Sequence, residues 1–86
     1  MIVTKQAVAE RIAGHLQHRV SLPQLVDWAE NAMMDGEFDE NDTATISAVV
    51  ARLGVADVRA FGLTWTDCEE LLAKLGFSAR VEIIAA

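Results

Sequence analysis

Tyrosine is missing from the 86-residue chain, cysteine and proline occur once each, and histidine twice. With Cys68 alone, no disulfide can close within the chain, which excludes a disulfide-stapled secreted scaffold. No apolar run approaches the roughly 18–20 residues that a membrane-spanning helix needs. The opening Met1-Ile2-Val3-Thr4-Lys5-Gln6 has neither the basic start nor the long apolar stretch of a secretory signal, so a cytoplasmic protein is expected. Bases are lacking altogether between residues 27 and 42, where Asp27, Glu30, Asp35, Glu37, Asp39, Glu40 and Asp42 stand together. Those are seven of the 13 acids in a chain of net charge −6, so the acidity is local. A negative chain disfavours nucleic acid and anionic membrane as partners.

What the chain has in quantity is apolar side chain, 52% of its residues. A domain of this length buries only roughly 60–70% of the surface its unfolded chain exposes. Some apolar side chains are therefore expected at the surface, for a partner or a second copy to cover.

Three helix starts share one layout: an apolar residue, a capping hydroxyl, and an apolar residue four positions into the helix. They are Val3-Thr4 with Val8, Val20-Ser21 with Leu25, and Leu63-Thr64 with Cys68. Gln24 completes a capping box at the second start, and Asp67 offers a weaker one at the third. Pro23 is tolerated in a first turn. Gly54 and Gly76, each two residues after a base and directly before an apolar residue, predict two left-handed helix stops.

Between these signals the apolar spacing is helical: Ala9, Ile12, Ala13, Leu16 with Val8 beside them; Leu22, Val26, Ala29, Met33 flanked by Leu25 and Ala32; Ile46, Val49, Val50, Leu53; Cys68, Leu71, Leu72, Leu75. Helices are predicted near 5–18, 22–34, 42–53 and 65–75, with a polar loop over 35–41. Residues 56–61 fit a short helix or an extended piece equally. Phe77 to Ile84 alternates apolar and polar over most of its length, a strand pattern. The expected architecture is mainly α: one domain over 1–86, a small four-helix-type bundle with a short C-terminal strand. An α+β fold with a small sheet is the alternative. The strand needs a partner, either Met1–Val3, the Phe61–Trp65 segment, or its own copy in a second protomer. A homodimer is expected on that last ground.

The candidate chemistry is thin. His15 and His18 are three residues apart on one helix, but no further ligand stands at metal-binding spacing beside them. Cys68 lies in a helix's first turn, which lowers a thiol pKa, yet it sits in the apolar stripe among Asp67, Glu69 and Glu70 and reads as a structural cysteine. An EF-hand register from Asp39 places Ala44 where glycine is required and Val50 where the bidentate Glu belongs; one from Asp35 fails equally. No phosphate loop, nucleophile triad or metalloprotease motif is present. No catalytic, cofactor or metal site is assigned.

Residues Val20, Ser21, Leu25, Trp28 and Ala29 form a capped turn followed by a Leu-x-x-Trp-Ala helix. Over about residues 8–34 the chain thereby resembles small acidic helical proteins of bacterial toxin–immunity and antitoxin loci. That resemblance implies a helical fold and a protein partner. Ala51-Arg52-Leu53-Gly54-Val55 through Arg59, with Gly62-Leu63, resembles the helix-turn-helix of MerR-type regulators. It implies a small DNA-associated regulator as an alternative, although Val55 to Arg59 is too short for a recognition helix. A small ligand-binding protein or enzyme completed by dimerisation is the other alternative. The leading expectation is a non-enzymatic module that presents acids to a basic protein, with Trp28, Met34 and Phe38 as anchors and Glu30, Asp35, Glu37, Asp39 and Asp42 as steering charges.

Overall fold

In the computed structural model, which describes residues 1–85, each expected hydroxyl cap is made. Thr4 Oγ1 accepts from the Ala7 amide at 3.0 Å and opens α1 (Lys5–Leu16). Ser21 and Gln24 close a reciprocal box, the Gln24 amide donating to Ser21 Oγ at 3.2 Å and the Ser21 amide to Gln24 Oε1 at 2.9 Å, and open α2 (Leu22–Asp35). Thr64 and Asp67 do the same for α4 (Trp65–Lys74), at 3.1 and 2.9 Å. The Asp67 box is complete, stronger than its sequence suggests. Helix α3 (Thr43–Gly54) starts differently: Asp42 at its N-cap makes no side-chain cap bond. The preceding turn is tied by Asp39 instead, whose Oδ1 accepts from the Asn41 amide at 3.1 Å and whose carbonyl accepts from Thr43 Oγ1 at 2.9 Å.

The fold is mainly helical with a small sheet, as expected, but the strands lie elsewhere in the chain. β1 (Ile2–Val3) pairs in parallel with β2 (Glu37–Phe38), Ile2 opposite Glu37 and Val3 opposite Phe38. The Glu37 amide donates to the Met1 carbonyl at 2.7 Å and the Asp39 amide to Val3 at 3.0 Å. The predicted polar loop over 35–41 thus contains a strand, and the predicted C-terminal strand is absent: residues 77–85 hold no regular secondary structure. Met1–Val3, one of its expected partners, is taken by β2. Phe61–Trp65 is no strand either; residues 55–61 run in turns, with the Val58 amide on Val55 and the Phe61 amide on Val58.

Helices α2 and α3 make the most extensive contact in the molecule. Ala29 and Ala32 are fully buried, and their small side chains let the two helices approach closely while Leu25, Ile46, Val50 and Leu53 fill the space around them. Val3, Val8 and Ile12 bring β1 and α1 onto that pair, and Cys68, Leu71, Leu72 and Leu75 bring α4. The buried face of α2 is shifted from the predicted stripe onto its expected flanks, Leu25 and Ala32. Ala32 is core, whereas Met33 is exposed and lies over Gly54 of α3, its Sδ 3.8 Å from where a Cβ there would sit. Gly54 serves that close approach and takes no left-handed conformation, so the stop predicted there does not form. The stop at Gly76 does, with φ of 88°, the Phe77 amide bonded to the Leu72 carbonyl and the Gly76 amide to Ala73.

Candidate interaction surfaces

The sequence-predicted site residues divide into three groups in the structure. Trp28 is half-buried and packs against the core, its ring under the Arg11 guanidinium at 5.3 Å. Phe38 faces inward from β2 beside Val3 and also packs against the core. Both brace the frame, with part of each side chain still exposed. Asp39 and Asp42 belong to the loop, Asp39 tying the turn and Asp42 reaching Lys5 Nζ at 3.6 Å, which clasps the start of α3 to the start of α1. Glu30, Met34, Asp35 and Glu37 are exposed, and among the described residues none of the three acids has an ion-pair partner. Met34 is 74% exposed, the most open of the three expected anchors.

The exposed group is concentrated by the backbone. Asp35 ends α2, whose last turn carries no base, so a carboxylate stands where the helix carbonyls already project negative potential. Gly36 then turns the chain into β2. A Cβ on Gly36 would run into the Ala32 carbonyl and approach Val3 Cγ2 to 2.9 Å, so only glycine lets β2 leave α2 this closely. Because paired residues share a side of the sheet, Val3 and Phe38 face the core and Ile2 and Glu37 face out. Ile2, 70% exposed, is therefore a member of this surface that sequence reasoning missed. A two-residue strand is too short to print an alternation.

A second feature lies on the opposite side of the sequence's emphasis. An open groove of about 690 Å³ runs between α1 and the chain after α4, lined by Ala9, Ala13, Leu16, Trp65, Leu72 and residues 77–82 among others. Ala13 and Leu16, predicted as core, are half-buried on its wall. Ala79 is the side chain of the C-terminal segment that packs onto the core.

The remaining titratable groups are structural. Burial raises the Cys68 pKa, the Asp67 charge raises it further, and Arg52 only partly opposes them, so the thiol stays protonated. His15 Nδ1 lies 2.9 Å from the Val20 carbonyl, and because a carbonyl only accepts, the proton is on that nitrogen. His18 is exposed at the end of α1, and no three metal-ligating side chains come together among the described residues. Arg52 stands over Phe61 at 5.8 Å and donates from Nη2 to the Gly62 carbonyl at 3.0 Å and to Asp67 at 3.4 Å. It fastens the 55–64 connection to α4. That connection separates α3, ending at Gly54, from α4, beginning at Trp65, by far more than the three- or four-residue turn of a helix-turn-helix. Among the described residues no helix is long and apolar enough to cross a membrane. No protein-family model, curated protein or solved structure matches the chain.

Proposed function

We propose that this protein is a non-enzymatic binding module of the bacterial cytoplasm, of immunity or antitoxin kind, that presents the acidic end of α2 and β2 to a basic protein. One observation carries the reading. Asp35 occupies the C-terminal turn of α2 without a base in that turn, and Glu30 earlier in the helix and Glu37 in β2 are likewise without an ion-pair partner among the described residues. An acid in that position opposes the helix dipole and costs roughly 0.3–1 kcal/mol of stability. A basic partner reverses the sign of that term, because its cations meet the carboxylates and the helix carbonyls together. Long-range attraction speeds the encounter, and burial of Met34 and Ile2 supplies affinity. Trp28 and Phe38 hold the frame behind this surface.

Affinity capture from the native host tests it, with the wild-type chain compared with the triple variant Glu30→Gln, Asp35→Asn, Glu37→Gln. The expected result is a partner with a basic contact surface whose capture falls at least several-fold with the variant. Capture should fall likewise as ionic strength rises from roughly 0.1 to roughly 1 M, where the screening length drops from about 10 to about 3 Å. Partners captured equally by the variant and at high salt would sink the proposal.

A further inference from the structure

Beyond Phe77, whose amide completes the α4 stop, no backbone group of residues 78–85 bonds to another backbone group among the described residues. The segment is nonetheless rich in exposed apolar surface: Val81 is 68% exposed, Ile83 94% and Ile84 77%. Drawn out as a strand, the segment would place Phe77, Ala79, Val81 and Ile83 on one face; of these Ala79 alone packs on the core, which marks that face as the one a strand would turn toward α1 and α4. Ser78, Arg80 and Glu82 are exposed on the other. A segment of strand pattern with free N–H and C=O groups is completed by pairing with another strand.

We propose that this strand is the same segment of a second copy, paired antiparallel about a two-fold axis through Val81. The side chains select both the occupant and the register. With Val81 on the axis, Arg80 lies opposite Glu82 of the partner subunit, and the symmetry repeats the pair as Glu82 opposite the partner's Arg80. On the inner face Ala79 meets Ile83 of the partner subunit, small against large, again twice. Moving the axis to residue 80 sets Arg80 against itself, and moving it to residue 82 sets Glu82 against itself. Either shift places like charges directly opposite, which destabilises a pair. An axis between residues would put the apolar face of one strand beside the polar face of the other. An axis at residue 79 or 83 avoids the like-charge pairs but leaves Arg80 and Glu82 without each other, so only the register through Val81 pairs them. Pairing satisfies its backbone and lays a two-stranded ribbon over the α1–α4 grooves of both protomers, with the two bodies side by side beneath it.

Sedimentation equilibrium of the full chain in the micromolar range is the first measurement, and a dimer is expected. Arg80→Glu and Glu82→Arg, each alone, should weaken it by roughly tenfold, since each creates two like-charge pairs. The double variant R80E/E82R should restore the original dissociation constant, because the exchanged charges meet each other across the axis. Under mild oxidation Val81→Cys should yield a covalent dimer, since position 81 meets itself, while Ser78→Cys, which faces position 84, should not. Circular dichroism checks that each of these exposed substitutions leaves the helices intact, and Cys68 is buried away from cross-linking. A chain that stays monomeric means the segment is covered by something other than a second copy and overturns the proposal. A dimer indifferent to the single charge reversals, or one cross-linked through position 78 and not 81, overturns it equally.

Discussion

The chain has two exposed stretches that combine charge with apolar side chains, residues 34–42 and residues 77–85, and they are held in opposite ways. The first is pinned at almost every step. Asp35 ends a helix, Glu37 and Phe38 sit in a ladder with β1, Asp39 ties its own turn and Asp42 reaches Lys5. The second is fixed at its root by the Gly76 stop and along its length by Ala79 alone. The difference follows from what each surface does on binding. Carboxylates that steer a basic partner act at a distance and gain from being placed beforehand, because little ordering entropy is left to lose. A strand gains its backbone bonds only when the second strand arrives, so it has nothing to hold it in advance.

Gly36→Ala tests the first half of that contrast most severely. The added methyl meets the Ala32 carbonyl and the Val3 side chain, and α2 and β1 cannot both stay in place. Its φ of −81° and ψ of 149° suit alanine, so the cost is one of crowding and not of conformation. The expected loss is about 2 to 3 kcal/mol in urea unfolding. Faster amide exchange at Glu37 and Asp39 should accompany it, with the amides of α4 unaffected at the same global stability. If those two amides keep their protection, the ladder does not depend on the close exit from α2.

Acid tests the other half through the helix that carries the C-terminal segment. The Asp67 pKa is lowered chiefly by the Thr64 amide, then by the Thr64 hydroxyl, with Arg52 adding to them and desolvation opposing. The folded protein therefore binds a proton at this site less readily than the unfolded chain. The contribution is present above the ordinary aspartate value of 3.8 and is lost as the pH falls through the lower folded value. Asp67→Asn should be less stable than wild type near neutral pH, with the gap closing as the solution is acidified below that ordinary value. A gap that stays constant with pH would remove the charge from the account. The effect is smaller than that at Gly36, since the group is solvent-accessible and asparagine can still accept at the cap.

Helix positions and caps were legible because each rests on local chemistry: a hydroxyl before an apolar stripe accepts an orphan amide whatever the rest of the chain does. The sheet was not legible. Two residues of β1 and two of β2 carry no periodicity, and their pairing depends on Gly36 letting β2 pass beneath Val3, which is a tertiary fact. The segment from Phe77 prints a strand pattern yet joins no strand among the described residues, since pattern reports competence and not partnership. For the acidic surface, composition located the charges, but only packing separated Met34 from Trp28 and Phe38. An aromatic two residues from Glu30 on a helix faces elsewhere, and both rings proved to be supports for the core.

The smallest expected effect concerns the two left-handed helix stops, which carry different residues at the left-handed position. At the end of α4 it is Gly76, with φ of 88°; at the end of α1 it is His18, with φ of 62°. The two bonds that close each stop are the same, and at α1 the Gly14 carbonyl also accepts from the Val20 amide at 3.2 Å. The Arg19 amide reaches back to the Gly14 carbonyl at 2.9 Å and the His18 amide to His15 at 3.1 Å, as Phe77 does to Leu72 and Gly76 to Ala73. Histidine visits this conformation more readily than most residues but still strains its Cβ against the backbone, at a cost of roughly 1–2 kcal/mol for an ordinary side chain. The turn is kept because Val20 folds over Gly14, whose missing side chain leaves room for it, and because His15 holds the Val20 carbonyl. His18 itself is exposed and has nothing comparable to lose. His18→Gly should therefore relieve the strain, offset in part by the greater freedom of glycine in the unfolded chain, for a net gain of about 0.5 to 1 kcal/mol. A rise of a few degrees in Tm by differential scanning calorimetry is the expected reading. A fall would mean that the imidazole contributes to the turn, and the two helix stops would then differ in more than the strain at one residue.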